Sequence, residues 1–410
     1  VKDGDNNISD AVSPITVAID NSPVITAFST DFTSTIQTEI PVTFEVSGSN
    51  ITHYMITKTN TTPAVDDPNW EISKPSVYTM VDGTGDYTLY AWAKNSDNNI
   101  NNTPLTFTVN LSTPGSWVST SIAGFSNVLV YTPNTVSPIG TGRALLIHLH
   151  GCIQTYNEYQ NANLDVVANT YGMVVAVPDA ANKQGFDCWY YWDDTKNRNH
   201  EDFKNILDLV SNLLADESKD IDPNQVYISG MSSGAAFAMT MNCLAPDVFA
   251  GVGMFAGPSV GTSSNGVSTK DVKESTVEET KSRCETLAGS YSYGFSNQIF
   301  SIAYGSADEI VNLGYNIQNA NAMAQVYDRT GTYPDNTYST SPLVTETLWT
   351  QGRVSLLELD GLGHAWAAGD GASGTYISGS HINYALYLGN YFMTYNRRVM
   401  RTEGYWDFLQ

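Results

Sequence analysis

A serine, a carboxylate and a histidine stand in this sequence in an order and in local settings that suit acyl transfer. Gly230-Met231-Ser232-Ser233-Gly234 is a G-x-S-x-G pattern. It follows the strand-like Val226-Tyr227-Ile228-Ser229 and leads into the helix-prone Ala235-Ala236-Phe237-Ala238-Met239, the strand–turn–helix context that a nucleophile elbow needs. A serine hydroxyl is a weak nucleophile, so it needs a base held by a carboxylate. Of the six histidines, His364 in Gly361-Leu362-Gly363-His364-Ala365-Trp366 is the expected base. His53 lies in the N-terminal part, His200 and His381 sit at helix starts, and His148 and His150 flank Leu149 in one strand and so face opposite ways. Asp308, just after the strand Ile299–Ala303, is the expected carboxylate, with Glu309 and then Asp360 as alternatives. A carbonyl under attack also needs two N–H donors where its oxygen gains charge. The expected donors are Ser233, at the helix start, and Cys152, in the loop His150-Gly151-Cys152-Ile153-Gln154.

The elements that must carry these residues alternate. Leu145-Leu146-Ile147, Met173-Val174-Val175-Ala176-Val177, Val226-Tyr227-Ile228, Ile299-Phe300-Ser301-Ile302-Ala303 and Val354-Ser355-Leu356-Leu357-Glu358 are short, largely apolar runs. Strands of a parallel sheet covered on both faces read this way. Between them, Phe203, Ile206, Leu207, Val210, Leu213 and Leu214 recur at helical spacing. The β-α-β-α order predicts a doubly wound α/β domain, and the chain order Ser232, Asp308, His364 is that of an α/β-hydrolase.

Several of these motifs also occur together in one known family. His150-Gly151-Cys152, Cys188-Trp189-Tyr190-Tyr191-Trp192, Ile221-Asp222-Pro223-Asn224-Gln225-Val226-Tyr227, the Ser232 elbow, Gly305-Ser306-Ala307-Asp308 and Gly363-His364-Ala365-Trp366 appear in sequence. Over roughly residues 125 to 395 the chain resembles the poly(3-hydroxybutyrate) depolymerase esterases, a family with feruloyl and acetylxylan esterase relatives. The resemblance implies that Ser232, Asp308 and His364 are nucleophile, acid and base of a serine ester hydrolase. It implies a polymeric ester substrate and no metal or organic cofactor. The family's Cys-Trp-Asn-Trp is Cys-Trp-Tyr-Tyr-Trp here, and Ala235 stands where a third elbow glycine is common. Trp189, Tyr191, Trp192 and Trp366 are expected to line the acyl site. The alternatives are a feruloyl or acetylxylan esterase, or a non-catalytic adhesin or spacer.

The four cysteines show no CxxC pair, which argues against zinc. Cys152 and Cys188 both lie in loops that follow strands of one parallel sheet, so both should reach the same rim. The expected disulfides are therefore Cys152–Cys188 and Cys243–Cys284, as suits a secreted protein.

The front of the chain has another character. Ile40-Pro41-Val42-Thr43-Phe44-Glu45-Val46 and Tyr87-Thr88-Leu89-Tyr90-Ala91-Trp92-Ala93 alternate apolar and polar residues between Asx- and Gly-rich turns. Lys2-Asp3-Gly4-Asp5-Asn6-Asn7-Ile8 recurs about 90 residues later as Lys94-Asn95-Ser96-Asp97-Asn98-Asn99-Ile100, which is the size of an immunoglobulin-like repeat. The expected organisation is a remnant of a preceding repeat over 1–20, an Ig-like or fibronectin-III-like sandwich over 21–111, a linker at 112–116 and an α/β-hydrolase domain over 117–410. Trp70, Tyr90 and Trp92 are read as core of the sandwich.

Composition narrows the partners. Nineteen Lys and Arg against 42 Asp and Glu give a formal charge of −23, which disfavours nucleic acid and anionic lipid. No apolar run reaches the ~18 residues of a membrane helix. An extracellular monomer acting on a neutral polymer is the expected setting.

Overall fold

The computed structural model describes residues 21–267, 273–327 and 334–399. The expected repeat remnant at 1–20 lies outside them. Contacts divide the chain into a β unit, whose segments end at Val109, and a larger unit from Asn110 onward that also takes in residues 32–37 and 83–85.

In the β unit, Val24–Ser29 pairs antiparallel with Thr43–Ser47, and Ile51–Thr57 with Gly85–Asn95. Alternation puts Tyr87, Leu89 and Ala91 inside, Phe44 and Trp92 are buried as well, and Phe28 meets Phe44 edge-on at 5.5 Å.

The larger unit is built on β1 (Ser116–Ile122), β2 (Phe125–Thr132), β3 (Arg143–Leu149), β4 (Met173–Pro178), β5 (Ile221–Met231), β6 (Gly251–Phe255), β7 (Ile299–Gly305), β8 (Asn336–Ser341), β9 (Val344–Trp349) and β10 (Val354–Leu359). They form one ten-stranded sheet in the order β1-β2-β4-β3-β5-β6-β7-β10-β9-β8. From β4 to β10 neighbouring strands are parallel, while both edges are antiparallel.

The period-two rule for strands decides what each face buries. Leu145, Ile147 and Leu149 of β3 join one core with α2 (Glu201–Ala215), α3 (Ser233–Leu244), α4 (Val277–Ala288) and α5 (Gly314–Tyr327). Ala144 and Leu146 join the opposite core with α1 (Leu164–Tyr171) and α6 (Tyr384–Tyr395). Helix α2 buries Phe203, Ile206, Leu209, Val210 and Leu213, the single apolar stripe that its sequence spacing predicts. Helix α3 is buried all round, so it sits inside the domain and not on it. The loops after β3, β5, β7 and β10 all leave from the carboxyl ends of parallel strands, where an open α/β sheet gathers its functional residues.

Candidate active site

The elbow owes its shape to what surrounds its glycines. A Cβ on Gly230 would lie 2.6 Å from the Gly234 carbonyl, and one on Gly234 would overlap the carbonyl oxygens of Leu149 and His150. Only hydrogen fits at either place, so β5 can turn into α3 tightly beside β3. Ser232, at the turn, has φ 55° and ψ −117°, a conformation rare for a non-glycine residue and often found where strain serves a function. Its N–H is held by the Phe255 carbonyl at 2.8 Å. Ala235 is accommodated because Gly257 faces it, where a Cβ would come within 2.6 Å of the Ala235 methyl.

The other two residues come from the loops after β7 and β10. His364 Nδ1 lies 2.7 Å from Asp308 Oδ2. A carboxylate can only accept, so Nδ1 carries a proton, and in the neutral ring Nε2 is then the nitrogen with the lone pair. Asp308 Oδ1 accepts from the N–H groups of Ile310 (2.8 Å) and Val311 (3.0 Å), which fixes the carboxylate. Glu309 is exposed, and Asp360 instead accepts from Ser306 Oγ at 3.1 Å; neither is the partner of His364. The two loops are joined by Ser306 N–H to Leu359 O (2.9 Å) and Ala307 N–H to Leu362 O (3.0 Å).

Ser232 and His364 line one cavity of about 430 Å³ together with Cys152, Ile153, Gln154, Phe186, Trp192, Met231, Ile310 and Tyr376. Its walls are chiefly apolar. Ser233 is the first residue of α3, where an N–H has no partner one turn back and the helix dipole is positive. The loop that holds Cys152 is tied down on several sides. Cys152 is bonded to Cys188, with Cα atoms 4.1 Å apart, and Ile153 N–H donates to Phe186 O at 2.7 Å. A second disulfide joins Cys243 to Cys284.

The aromatic expectations need correction. Trp189, Tyr191 and Trp366 are fully buried and line no part of the cavity. Trp189 packs on Phe237 at 5.0 Å and on His150 at 5.6 Å, Tyr191 gives its hydroxyl to Ser263 O at 2.7 Å, and Trp366 stands against His148 and Tyr384. The burial alternates along this loop, so that Trp192 alone of the four reaches the cavity. The sequence reading passed over Ile153, Phe186 and Tyr376. The first two flank the cysteines of the rim disulfide, a clue the sequence did hold; Tyr376 had none.

The other histidines are occupied. His150 Nδ1 lies 2.8 Å from Gly151 O, while its Nε2 is 3.3 Å from the Ala180 N–H. A carbonyl oxygen only accepts, so Nδ1 is the donor, while Nε2 also lies 3.4 Å from Asp179 Oδ1. His200 meets Asp193 at 3.0 Å. Glu201 brings a third ligand-type atom within 4.8 Å of those two residues, but it is exposed and nothing further marks a metal centre there.

His148 is buried, 2.8 Å from Ser229 Oγ and packed between Tyr159 and Trp366. Burial, and then the neighbouring His150, push its pKa down to about 3. In the unfolded chain it would titrate near ~6.5. The unfolded state therefore binds the extra proton first, and stability falls as pH drops from about 6.5 toward 3. Between pH 7 and 5 this one group should remove about 2 kcal/mol of stability. Urea denaturation at the two pH values checks this: His148→Gln should lose about that much less than the wild type, and equal losses would refute it.

The fold and the geometry together define an α/β-hydrolase. In fold the chain is similar to the acetyl xylan esterase from Aspergillus awamori, with a TM-score of 0.51, 20% identity, and coverage of 61% of this chain and 94% of that one. Residues 130–331 match the family model Esterase PHB depolymerase. Over 312 residues the chain is 34% identical to poly(3-hydroxybutyrate) depolymerase from Ralstonia pickettii, covering 71% of this chain and 64% of that protein. It is 28% identical over 271 residues to poly(3-hydroxyalkanoate) depolymerase C from Paucimonas lemoignei, covering 60% and 63%. Over this stretch the chain is similar to the PHB depolymerase esterases, and it spans just under two thirds of the length of these two relatives.

Proposed function

We propose that the chain is a secreted serine ester hydrolase that cleaves short-chain polyesters such as poly(3-hydroxybutyrate). The observation that carries this reading is the His364–Asp308 pair at 2.7 Å, opening on the same cavity as the strained Ser232. In this reading Ser232 Oγ attacks the ester carbonyl carbon and His364 Nε2 takes its proton. The carbonyl oxygen, now negative, receives the N–H groups of Ser233 and Cys152. The C–O bond of the ester breaks, and His364 returns the proton to the leaving hydroxyl end of the polymer. Water then enters by the reverse steps and frees the acid. Asp308 holds the imidazolium, and the scheme calls for no metal or organic cofactor.

Substrate class rests on the relatives' activities and on the walls of the cavity. Ile153, Phe186, Trp192 and Ile310 offer an uncharged, apolar lining that suits a methyl-bearing polyester unit. Two disulfides fit an oxidising compartment. Among the described residues no helix is long and apolar enough to cross a membrane. In this reading the β unit is an Ig-like module carried by the hydrolase.

A paired assay tests the reading: clearing of a poly(3-hydroxybutyrate) suspension against release of ferulate or acetate from plant polysaccharide. Clearing supports the depolymerase. Release without clearing assigns the chain to the polysaccharide esterases, one of which, acetylxylan esterase A from Emericella nidulans, is 23% identical over 250 residues. No turnover of p-nitrophenyl butyrate and no labelling by a fluorophosphonate would leave an adhesin or spacer.

A further inference from the structure

Gln154 is almost fully buried at the edge of the cavity, and its amide joins three segments. Its Oε1 accepts the Gly151 N–H at 2.6 Å and the Tyr159 hydroxyl at 2.9 Å. Its Nε2 donates to the Thr375 carbonyl at 2.5 Å. This set of bonds needs an acceptor and a donor on one planar group, which glutamine carries whatever the pH.

Each end of the link matters to the site. At one end, Gly151 is held at both its peptide groups: its N–H by Gln154 and its C=O by His150 Nδ1 at 2.8 Å. In a trans peptide the N–H of the next residue points opposite to that carbonyl, so this grip sets the direction of the Cys152 N–H. At the other end, Thr375 precedes Tyr376, whose ring stands 5.7 Å from His364 at 73°. Thr375 Oγ1 also donates to Glu158 Oε1 at 2.7 Å, and Ser373 N–H to Asn161 O at 3.2 Å. The segment around Thr375 is thus clasped onto the stretch that follows the oxyanion loop.

We propose that Gln154 is a positioning residue for catalysis, one that aims the Cys152 N–H and ties the oxyanion loop to the segment packed against His364. The inference rests on the hydrolase reading above. It goes beyond that reading by giving the rate of the chemical step to a side chain that touches neither the nucleophile's proton nor the base.

Gln154→Met keeps the volume and removes all three bonds. With p-nitrophenyl butyrate, and active sites counted by fluorophosphonate titration, kcat per site should fall by about 10²-fold, the scale on which oxyanion donors act. KM should change by much less than kcat, because Ile153, Phe186, Trp192 and Ile310 keep their places in the walls. Inhibition by n-butylboronic acid, whose tetrahedral serine adduct places an oxygen in the oxyanion hole, should weaken by a factor similar to the loss in kcat. Gln154→Glu keeps the acceptor for Gly151 and Tyr159 but, assayed at a pH where its carboxyl is ionised, sets oxygen against the Thr375 carbonyl. It should lose kcat in the same sense, and it preserves the test if the Met variant does not fold. A purely structural glutamine would lower Tm and leave kcat per titrated site and the boronic acid inhibition unchanged in both variants; that result overturns the inference while the hydrolase reading stands. An inactive wild type that resists the fluorophosphonate overturns both.

Discussion

Ser232→Ala and His364→Ala should each lower kcat on p-nitrophenyl butyrate by ~10³–10⁶-fold, and the double variant should be scarcely slower than either single one. The near-equality follows from how the pair works. Without the hydroxyl, the imidazole at 364 has no proton to take; without the imidazole, the hydroxyl is no better a nucleophile than that of a free serine. Asp308→Asn should cost less than either, because the oxyanion donors and the apolar walls remain. Its expected mechanism of damage is specific. Asp308 Oδ2 meets His364 Nδ1 at 2.7 Å while Oδ1 takes the Ile310 and Val311 N–H groups. An asparagine can satisfy those two backbone donors with its carbonyl oxygen, but its NH₂ then faces Nδ1 and draws the imidazole into the tautomer protonated at Nε2, where it cannot accept the serine proton. Steady-state kinetics checks the series, with enzyme counted by absorbance because a variant without the serine hydroxyl cannot be titrated by a fluorophosphonate. Near-wild-type turnover in Ser232→Ala would overturn the assignment outright, and full activity in Asp308→Asn would return the carboxylate's role to Glu309 or Asp360.

What the sequence made legible is what local chemistry dictates. The elbow can be read because its turn, its glycines and its neighbouring strand and helix are contiguous. Ser232, Asp308 and His364 each follow a strand, and parallel topology sends such loops to one end of the sheet. The same topology brings Cys152 beside Cys188. The strand β6 is not among the runs expected from sequence, because two glycines interrupt the apolar pattern of Gly251-Val252-Gly253-Met254-Phe255. In the fold a Cβ at 253 would overlap the Leu388 side chain, so the glycine makes room for a helix packed across the sheet, a partner that lies far along the chain. Trp189 and Trp366 were misread for a related reason. An aromatic in a loop near the nucleophile can face the cavity or the core, and which of the two it does is set by residues such as Phe237 and His148 that lie elsewhere in sequence. The role of Gln154 was equally hidden, since its three partners sit at 151, 159 and 375.

Glycines beside the base separate the two kinds of information most sharply. Gly363 adjoins His364 in sequence. A Cβ there would meet nothing nearer than Ala307 O at 3.9 Å, which is ordinary contact, and Gly363→Ala should keep kcat within about threefold. Gly305, the last residue of β7, stands fifty-odd positions away, yet a Cβ on it would overlap the carbonyl oxygen of Leu362 and come within 2.8 Å of that of Gly363. Those are backbone atoms, and no rotamer change can relieve the overlap. Leu362 O is also the acceptor for the Ala307 N–H at 3.0 Å, one of the bonds that hold the Asp308 loop to the His364 loop. Gly305→Ala must therefore part the two loops at the point where they hold Asp308 against His364. The expected cost in stability is about 1–3 kcal/mol, as for other overpacked sites. The larger effect should be on rate, because a displacement of about 1 Å between catalytic groups is worth roughly 10²-fold. Urea denaturation together with kcat per titrated site, measured for Gly305→Ala and Gly363→Ala in parallel, gives both numbers. A Gly305→Ala protein that turns over at the wild-type rate, or a Gly363→Ala protein that is the slower of the two, would show that the loops are not held together as described, since only the contact at Leu362 makes the distant glycine the more important one.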